Sequence, residues 1–349
     1  MPEDVWSERD TKPDAIEAAL RDMLRHRHAQ DGGVVPARVL NLVVVVDREW
    51  KGEISNRLDR VGRYHASRTI LCAVESNHPT LDATAVMGYD EERAGNITAT
   101  REQVEIDMGP EHLSRLDTII DPVIVSALPT ILWCPHGHSE AMEALRRLVD
   151  VMLIDSDDQP DAQEGLERAE GMRDSAYVVD LAWLRTTPWR ERLAASFDPA
   201  ERLPELSRLK SLTIRHQESS RASALLLAGW LASRLNWEAA PLKEHSGSGL
   251  KGNVVRSDGQ VEISLESFEQ EAPGLAGVTV SSGERYSLSL DRARGGLCAR
   301  EAMDGVERVW QVMGASRGEG GILGEGVRQA LLRDPTYGPA LGAARSFIR

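Results

Sequence analysis

Helical and strand-like hydrophobic patterns alternate along the first half of the chain. Over residues 14–29, apolar residues recur at helical spacing between charged ones, which predicts a helix with one buried face. The next apolar stretch, ARVLNLVVVVD, is an uninterrupted β-branched run and predicts a strand that is covered on both faces. RTILCAVE predicts a second buried strand, and KGEISNRLDRVGRYH between the two predicts a helix.

Two further segments, LDATAVM and NITATREQVEID, alternate apolar and polar residues as half-exposed strands do. We predict that these two strands are antiparallel. The stretch ALPTILWCPHGHSEAMEALRRLVDVMLIDSDD then gives strand, loop, helix and strand in succession, which is typical of a βαβ unit. The first half therefore predicts an α/β arrangement, a mixed sheet flanked by helices.

The second half changes from helical to strand patterns. SSRASALLLAGWLASRLNW is apolar on most sides and predicts a buried helix. From Asn253 onward, alternating runs are separated by turn dipeptides, of which Asp258-Gly259 readily forms a type I′ hairpin turn. This half therefore predicts an α+β arrangement with an antiparallel meander and helices.

The acidic segment 155–165 is polar and poor in packing residues, so it predicts a domain boundary. A chain of 349 residues is long enough for two domains. We predict an α/β domain over residues 1–158 and an α+β domain over residues 159–349. The alternative is that residues 166–177 and the following AYVVDL add another helix and strand to the first sheet.

Charge and composition exclude several classes of protein. The formal net charge of −14 opposes binding to nucleic acid, which depends on clustered Lys and Arg. Residues 1–30 contain no apolar core of a secretory signal, and no apolar run of about eighteen residues predicts a membrane span. The three cysteines, Cys72, Cys134 and Cys298, are odd in number and lack CxxC spacing. We therefore predict a cytoplasmic protein.

Three short motifs could bind a ligand. WCPHGHSE places Cys134, His136 and His138 in a loop after a strand, where they could bind a metal ion, but we favour a Pro-Gly turn with Ser139 as a helix N-cap. GSGLKG matches GxGxxG, but a predicted strand follows it where a dinucleotide site needs a helix, so we interpret it as a turn. We predict no metal site and no cofactor.

The third motif is a basic cluster between Arg57 and Arg68. Arg63, His65 and Arg68 precede a buried strand and could bind a phosphorylated metabolite through charge-assisted hydrogen bonds. A solvated helix face in an acidic protein gives the same composition. No GxSxG elbow, HExxH helix or kinase motif is present, so the sequence offers no catalytic constellation.

The segment DLAWLRTTPWRERLAASF, residues 180–197, is unusually rich in Trp and Arg. Thr187 and Pro188 predict a helix start, after which Trp189, Leu193 and Phe197 share one face. One interpretation is that the indoles fill the core. The other is a protein interface, because Trp and Arg are enriched at interface centres. We assign partner binding to a set of five residues: Trp183, Arg185, Trp189, Arg190 and Arg192.

ARVLNLVVVV, RYHASRTILCAV, LPTILWCP, DLAWLRTTPWRERLA and RASALLLAGWLASRLNW, in this order, resemble the OpcA family, the glucose-6-phosphate dehydrogenase assembly proteins of bacteria. The resemblance covers roughly residues 37–300, and DLAWLRTTPWR is its most specific part. It implies a non-catalytic partner of glucose-6-phosphate dehydrogenase that promotes the active oligomeric form at the entry to the oxidative pentose phosphate pathway. It supplies no catalytic residues, so the five assigned residues come from the placement of Trp and Arg.

Two hypotheses follow from the sequence. The first is an assembly factor and allosteric activator of glucose-6-phosphate dehydrogenase that is not itself an enzyme and binds neither nucleic acid nor a membrane. The alternative is a sugar-phosphate-binding enzyme or metabolite sensor that uses the Arg57–Arg68 cluster and the Cys134–His138 loop. Binding of a phosphorylated sugar to this chain alone would distinguish the second from the first.

Overall fold

The computed structural model describes residues 3–30, 38–62, 66–89, 100–245, 249–313 and 318–349. The chain divides into two compact units. The first comprises Met1–Ile154, Met172–Val179 and Leu323–Leu332, and the second comprises Asp155–Gly171, Asp180–Ile322 and Arg333–Arg349. The domain boundary proposed near residues 155–165 stays a prediction.

An eight-stranded mixed sheet forms the centre of the first unit, in the order β1-β4-β5-β3-β2-β6-β7-β8. Its strands are β1 (Glu3–Glu8), β2 (Leu40–Asp47), β3 (Ser67–Val74), β4 (Asp82–Tyr89), β5 (Thr100–Met108), β6 (Thr130–Trp133), β7 (Val151–Ile154) and β8 (Tyr177–Asp180). The pairs β2–β3, β2–β6, β3–β5 and β6–β7 are parallel. β4 is antiparallel to β1 and β5, as predicted for two alternating segments.

The hydrophobic pattern explains the centre of this sheet. Every residue of β2 except Asp47 is buried, which confirms the covered strand predicted from its β-branched run.

Four helices of the first unit are α1 (Pro13–Gln30), α2 (Lys51–Gly62), α3 (Leu116–Ile120) and α4 (Ser139–Leu145). The helix predicted over residues 14–29 is therefore confirmed to within one residue at each end.

A second eight-stranded sheet organises the second unit, in the order β10-β11-β12-β9-β13-β14-β15-β16. Its strands are β9 (Ser211–His216), β10 (Lys243–His245), β11 (Gly249–Arg256), β12 (Gly259–Ser267), β13 (Leu275–Ser281), β14 (Tyr286–Ala293), β15 (Gly296–Met303) and β16 (Val306–Met313). All neighbours are antiparallel except β9 and β12, which are parallel. The predicted meander is confirmed in the consecutive strands β13 to β16.

Two details of the predicted turns differ. Arg256 pairs with Gly259, so the hairpin loop is Ser257–Asp258, one residue earlier than predicted, and Gly259 begins β12. Gly247 lies outside the described residues, and Gly249 to Gly252 belong to strand β11 rather than to a helix. The interpretation of GSGLKG as a turn is therefore wrong for Gly249 to Gly252, and a strand here also lacks the helix that a dinucleotide loop needs.

The remaining helices are α5 (Ala162–Met172), α6 (Leu181–Arg185), α7 (Thr187–Ser196), α8 (Leu203–Leu206), α9 (Arg221–Arg234), α10 (Gly318–Gln329) and α11 (Tyr337–Ser346). In α9 all residues from Ala222 to Gly229 are buried, which confirms the predicted buried helix.

Helices α9 and α11 approach each other closely at Gly229. A Cβ atom on Gly229 would lie 2.2 Å from the carbonyl oxygen of Ala340 in α11. The backbones of α9 and α11 therefore touch at this glycine. Over the described part of the chain, no helix is long and apolar enough to cross a membrane.

We predict that Gly229→Ala destabilises the second unit by about 1–3 kcal/mol, because the added methyl group must push α11 away from α9. The matched control is Gly342→Ala in α11, where no described residue beyond the adjoining helix backbone comes within 4 Å of the added Cβ. This control should be neutral or stabilising by up to ~1 kcal/mol, because alanine favours a helix over glycine. Urea unfolding followed by circular dichroism measures both. Equal stability of the two variants would contradict close contact at Gly229.

Candidate functional site in residues 180–197

The segment 180–197 forms two short helices, α6 and α7, that meet at Thr186. The Asp180 side chain caps α6 by accepting a 3.0 Å hydrogen bond from a backbone N–H of its first turn. α7 has Thr186 as its N-cap, so it begins one residue earlier than the predicted start after Thr187. The Thr186 hydroxyl donates to the carbonyl oxygen of Trp183 at 2.7 Å. This bond ties the start of α7 to the last turn of α6.

Trp183, Arg190 and Asp334 form a cluster around the buried Trp183 indole. The Trp183 Nε1–H donates to Asp334 Oδ2 at 2.9 Å, and the guanidinium carbon of Arg190 lies 3.6 Å from the centroid of the Trp183 ring. A guanidinium nitrogen of Arg190 is 3.7 Å from Asp334, and the same side chain donates to the Thr186 and Thr187 hydroxyls at 2.9 Å. Only 2% of Trp183 is exposed. The indole is therefore held on one face by a cation and at its edge by a carboxylate.

The charges of this cluster depend on one another. Burial lowers the pKa of Arg190 to about 10, while the charge of Asp334 acts in the opposite direction. Burial also opposes ionisation of Asp334, but hydrogen bonds from Thr336 and Trp183 and the charge of Arg190 outweigh it and lower the pKa of this carboxyl. Both groups are thus ionised at neutral pH. Loss of Asp334 would leave the largely buried Arg190 guanidinium without its ion-pair partner, and loss of Arg190 would remove one of the groups that favour the ionised form of Asp334.

Arg185 is the centre of a second polar cluster. Its guanidinium makes a bidentate ion pair with Asp155, with N–O distances of 2.7 and 2.6 Å, and lies 3.7 Å from Asp157. Asp157 accepts a 3.0 Å hydrogen bond from the backbone N–H of Ser223 in α9. Burial, followed by the charge of Asp155, raises the pKa of Asp157 to about 7, although Ser223 and Arg185 favour its ionised form. Two buried carboxylates thus share one cation.

Asp180 joins this cluster to the loop at Ser156 and to α11. It accepts hydrogen bonds from the Ser156 N–H at 3.0 Å, from the Ser156 hydroxyl at 2.6 Å and from the Tyr337 hydroxyl at 3.0 Å. Burial and the nearby charge of Asp155 raise the pKa of Asp180 to about 6 despite these donors. One carboxylate therefore connects three separate parts of the second unit.

The structure places most of the five assigned residues in the interior. Trp189 is 3% exposed, and Leu193 and Phe197 on the same helical face are also buried, which confirms the predicted shared face. Arg192 differs, because it is half-buried and its Nε–H makes no hydrogen bond within the described residues. The indoles therefore agree with the core interpretation, and a role of the five residues in partner binding stays a prediction.

The predicted anion site is only partly described. Arg63 and His65 lie outside the described residues. Arg68 is buried, and its guanidinium donates to Glu102 at 2.8 Å and to the carbonyl oxygen of Val123 at 2.6 Å. Arg38 donates to the other oxygen of Glu102 at 2.6 Å. Arg68 therefore neutralises a buried glutamate, and a role of Arg63, His65 and Arg68 in binding an anion stays a prediction.

The Cys134–His138 loop lies after β6. His138 has a left-handed backbone (φ 56°) and is the N-cap of α4, so Ser139 is the first helical residue rather than the predicted cap. The His138 Nε2 lies 3.4 Å from Asp47, and the His136 ring lies 5.0 Å from that of Trp50. Burial lowers the pKa of His136. No group of three or more His, Cys, Asp or Glu among the described residues is placed to hold a metal ion.

The turn after β2 occupies the position where a dinucleotide fold carries its glycine-rich loop. Here the sequence is DREWKG, residues 47–52, and Lys51 at the start of α2 is bound by Asp107 and Glu105 at 2.9 Å each. Bulky side chains therefore replace the glycines that let a pyrophosphate approach a helix N-terminus.

Sequence reasoning missed the acceptors in both clusters. Asp180 was detectable, because an aspartate before a helical segment is a common N-cap. Asp334 was not, since it lies 151 residues from Trp183 in sequence and only the fold joins them. Asp155 and Asp157 were interpreted as part of a polar boundary, although they are buried against Arg185.

Two sequence models of one protein family match the chain. The model described as the glucose-6-phosphate dehydrogenase subunit N-terminal domain matches residues 58–170, and that of the C-terminal domain matches residues 176–341. The OxPP cycle protein OpcA of Synechococcus elongatus is 26% identical over 58% of this chain and 49% of its own length. The protein of the same name from Synechocystis sp. is 30% identical over 36% of this chain and 27% of its own length. The matched region spans about half or less of these relatives.

Among solved structures, the crystal structure of aldose-aldose oxidoreductase from Caulobacter crescentus complexed with glycerol has a similar fold. It is 12% identical, with a TM-score of 0.50, over 89% of this chain and 95% of that chain. At this level of identity the likeness concerns the fold alone.

We predict that Asp157→Asn removes part of the pH dependence of stability. The native pKa near 7 exceeds the ordinary value of 3.8, so the native state binds more protons than the unfolded state between about pH 4 and 7. Stability from this group is therefore present below pH 4 and falls as pH rises to 7. Thermal unfolding between pH 5 and 8 should show a smaller decline in Asp157→Asn than in the wild type.

The control for this prediction is Asp198→Asn, at an exposed position just after α7, which should keep the wild-type dependence on pH. If Asp157→Asn kept the full decline as well, Asp157 would be ionised in the native state over the whole range.

Proposed function

The chain belongs to the OpcA family of glucose-6-phosphate dehydrogenase subunits, and we propose that it is a non-catalytic assembly factor and allosteric activator of glucose-6-phosphate dehydrogenase in the oxidative pentose phosphate pathway. The observation that carries this proposal is the match of both domain models, over residues 58–170 and 176–341. The two matches together include α6, α7 and both polar clusters.

The chemistry of the segment 180–197 supports a structural rather than a catalytic role. The guanidinium groups of Arg185 and Arg190 are paired with Asp155 and Asp334, and the Asp180 carboxylate accepts several hydrogen bonds. Asp157 and Asp180 have pKa values near neutrality, but their side chains are buried and hydrogen-bonded within the protein, so they hold the backbone in place and are closed to a substrate. The bulky turn at residues 47–52 supports the same conclusion for the edge of the first sheet.

We propose the outer face of α7, formed by Glu191, Arg192, Ala194 and Ala195, as the surface that contacts the dehydrogenase. Glu191, Ala194 and Ala195 are exposed and share one side of the helix, and Arg192 lies beside them. The small alanines allow a partner to approach closely. Arg192 is half-buried, and its guanidinium favours a carboxylate or carbonyl acceptor supplied by that partner.

Activation requires that the chain bind one state of the dehydrogenase more tightly than another, because a ligand shifts an equilibrium only by its difference in affinity. Such coupling is typically about 1–3 kcal/mol, which corresponds to roughly a 5- to 150-fold change in substrate affinity. The buried clusters assist by fixing α7 before binding, so that less conformational freedom is lost when the complex forms.

We predict that adding this chain to glucose-6-phosphate dehydrogenase from the same organism lowers the glucose 6-phosphate concentration for half-maximal NADPH formation by roughly 5- to 150-fold. Arg192→Glu should lose most of this effect. The new carboxylate would face the carboxylate or carbonyl acceptor that the dehydrogenase is expected to present to Arg192. The matched control is Arg146→Glu, at an exposed arginine directly after α4 in the first unit, which lies 3.8 Å from Glu143.

Three results would count against the proposal in different ways. If the wild-type chain left the titration unchanged, the activator function would be wrong. If Arg192→Glu activated as well as Arg146→Glu, the contact would lie away from α7. Calorimetric binding of glucose 6-phosphate to this chain alone would instead favour the alternative of a sugar-phosphate-binding protein.

A further inference from the structure

The two edges of the second sheet differ in how they are protected. β10, at one edge, has three residues, Lys243 to His245, all exposed and two of them basic in type. Short strands and lysines are common devices that prevent an edge from pairing with another chain. β16, at the other edge, is eight residues long, and its Val306 and Val309 are 59% and 60% exposed. The long edge contains no lysine or proline, and its two exposed charges, Glu307 and Arg308, are of opposite sign.

The backbone of β16 has free hydrogen-bonding groups on its outer side. β15 and β16 are joined by Asp304 and Gly305, whose φ angles of 50° and 81° fit a two-residue type I′ turn. In such a hairpin the closing pair, Met303 and Val306, bond to each other. The N–H and C=O groups of alternate residues 307, 309 and 311 then point away from β15. In the described part of the chain β16 pairs with no second strand.

We propose that β16 pairs antiparallel with β16 of a second copy of this chain, about a two-fold axis at Val309. A two-fold axis perpendicular to the sheet keeps each side chain on its own face. Centred on Val309, it places Val309 opposite Val309, Arg308 opposite Trp310, Val306 opposite Val312, and Glu307 opposite Gln311. The exposed arginine thus meets an aromatic ring, and the valines meet valines, which are favourable cross-strand pairs.

The neighbouring two-fold registers are poorer. An axis at Arg308 places this arginine opposite its own copy, and like charges directly across a sheet are destabilising. An axis at Trp310 places Arg308 opposite Val312 and Glu307 opposite Met313, so that neither charge has a polar or aromatic partner. The Val309 register is therefore the one that suits both charged residues of the strand.

Sedimentation velocity of the full chain over a range of concentrations tests the pairing. The wild type should show a concentration-dependent monomer–dimer equilibrium. Val309→Lys should raise the dimer dissociation constant by tenfold or more, about 1.4 kcal/mol, because it places two ammonium groups opposite each other. The matched control is Val255→Lys, at an exposed valine of β11 that already has a partner strand in β12, and it should dimerise like the wild type.

Cross-linking tests the register, in a Cys298→Ser background that removes the half-exposed natural thiol of β15. Val309→Cys should form a dimer disulfide under copper-catalysed air oxidation, because Cα atoms of a hydrogen-bonded pair are about 5.5 Å apart, within disulfide range. Gln311→Cys should not, since its two copies would be more than about 13 Å apart.

A wild-type chain that stays monomeric at every concentration would overturn the proposal. Equal dimerisation of Val309→Lys and Val255→Lys would place the dimer contact elsewhere and also overturn it. Cross-linking of Gln311→Cys as fast as Val309→Cys would reject the register. These outcomes are independent of any effect on the dehydrogenase, so they do not depend on the function proposed above.

Discussion

The arrangement of the second unit depends on neutralising buried aspartates. Asp155, Asp157 and Asp180 lie away from solvent, and an ionised carboxylate in such a place costs several kcal/mol unless it is paired or hydrogen-bonded. Arg185 brings a full positive charge to Asp155 and Asp157, and hydroxyl and backbone groups donate further hydrogen bonds to these carboxylates and to Asp180. Because these donors come from α6, α9, α11 and the loop at Ser156, satisfying the carboxylates fixes these elements together.

This constraint changes the meaning of the Trp- and Arg-rich segment. Trp and Arg at an interface centre usually contact the partner directly, but here Trp183 and Arg190 contact each other and Asp334. Their chemistry acts inward, where it sets the position of α7. The network of internal contacts explains why DLAWLRTTPWR is such a characteristic part of the sequence, because each side chain in it is held by the others. A surface that must match a partner residue by residue is not needed to explain the motif.

Much of the fold was predictable because its signals are local. The β-branched run of β2 and the helical spacing of α1 depend only on neighbours in sequence, as does the shared face of Trp189, Leu193 and Phe197. The clusters were not predictable, because the carboxylate that binds Trp183 comes from residue 334 and the one that binds Arg185 from residue 155. Polarity was misleading at residues 155–157, since an aspartate has the same local pattern in a solvated linker as beside a buried arginine.

Even weak pairing of the β16 edges would raise the affinity for a partner by more than the free energy of the pairing itself. A dimer built in this way presents two copies of the outer face of α7 on one particle. A partner with more than one equivalent subunit could then bind both copies if the geometry allows, and the second contact would form at a high effective concentration rather than from free solution. Two contacts of modest affinity would thereby give tight binding, and each could still dissociate separately. An edge strand that pairs reversibly suits such a role better than an obligate interface, because the assembly would respond to the concentration of the chain.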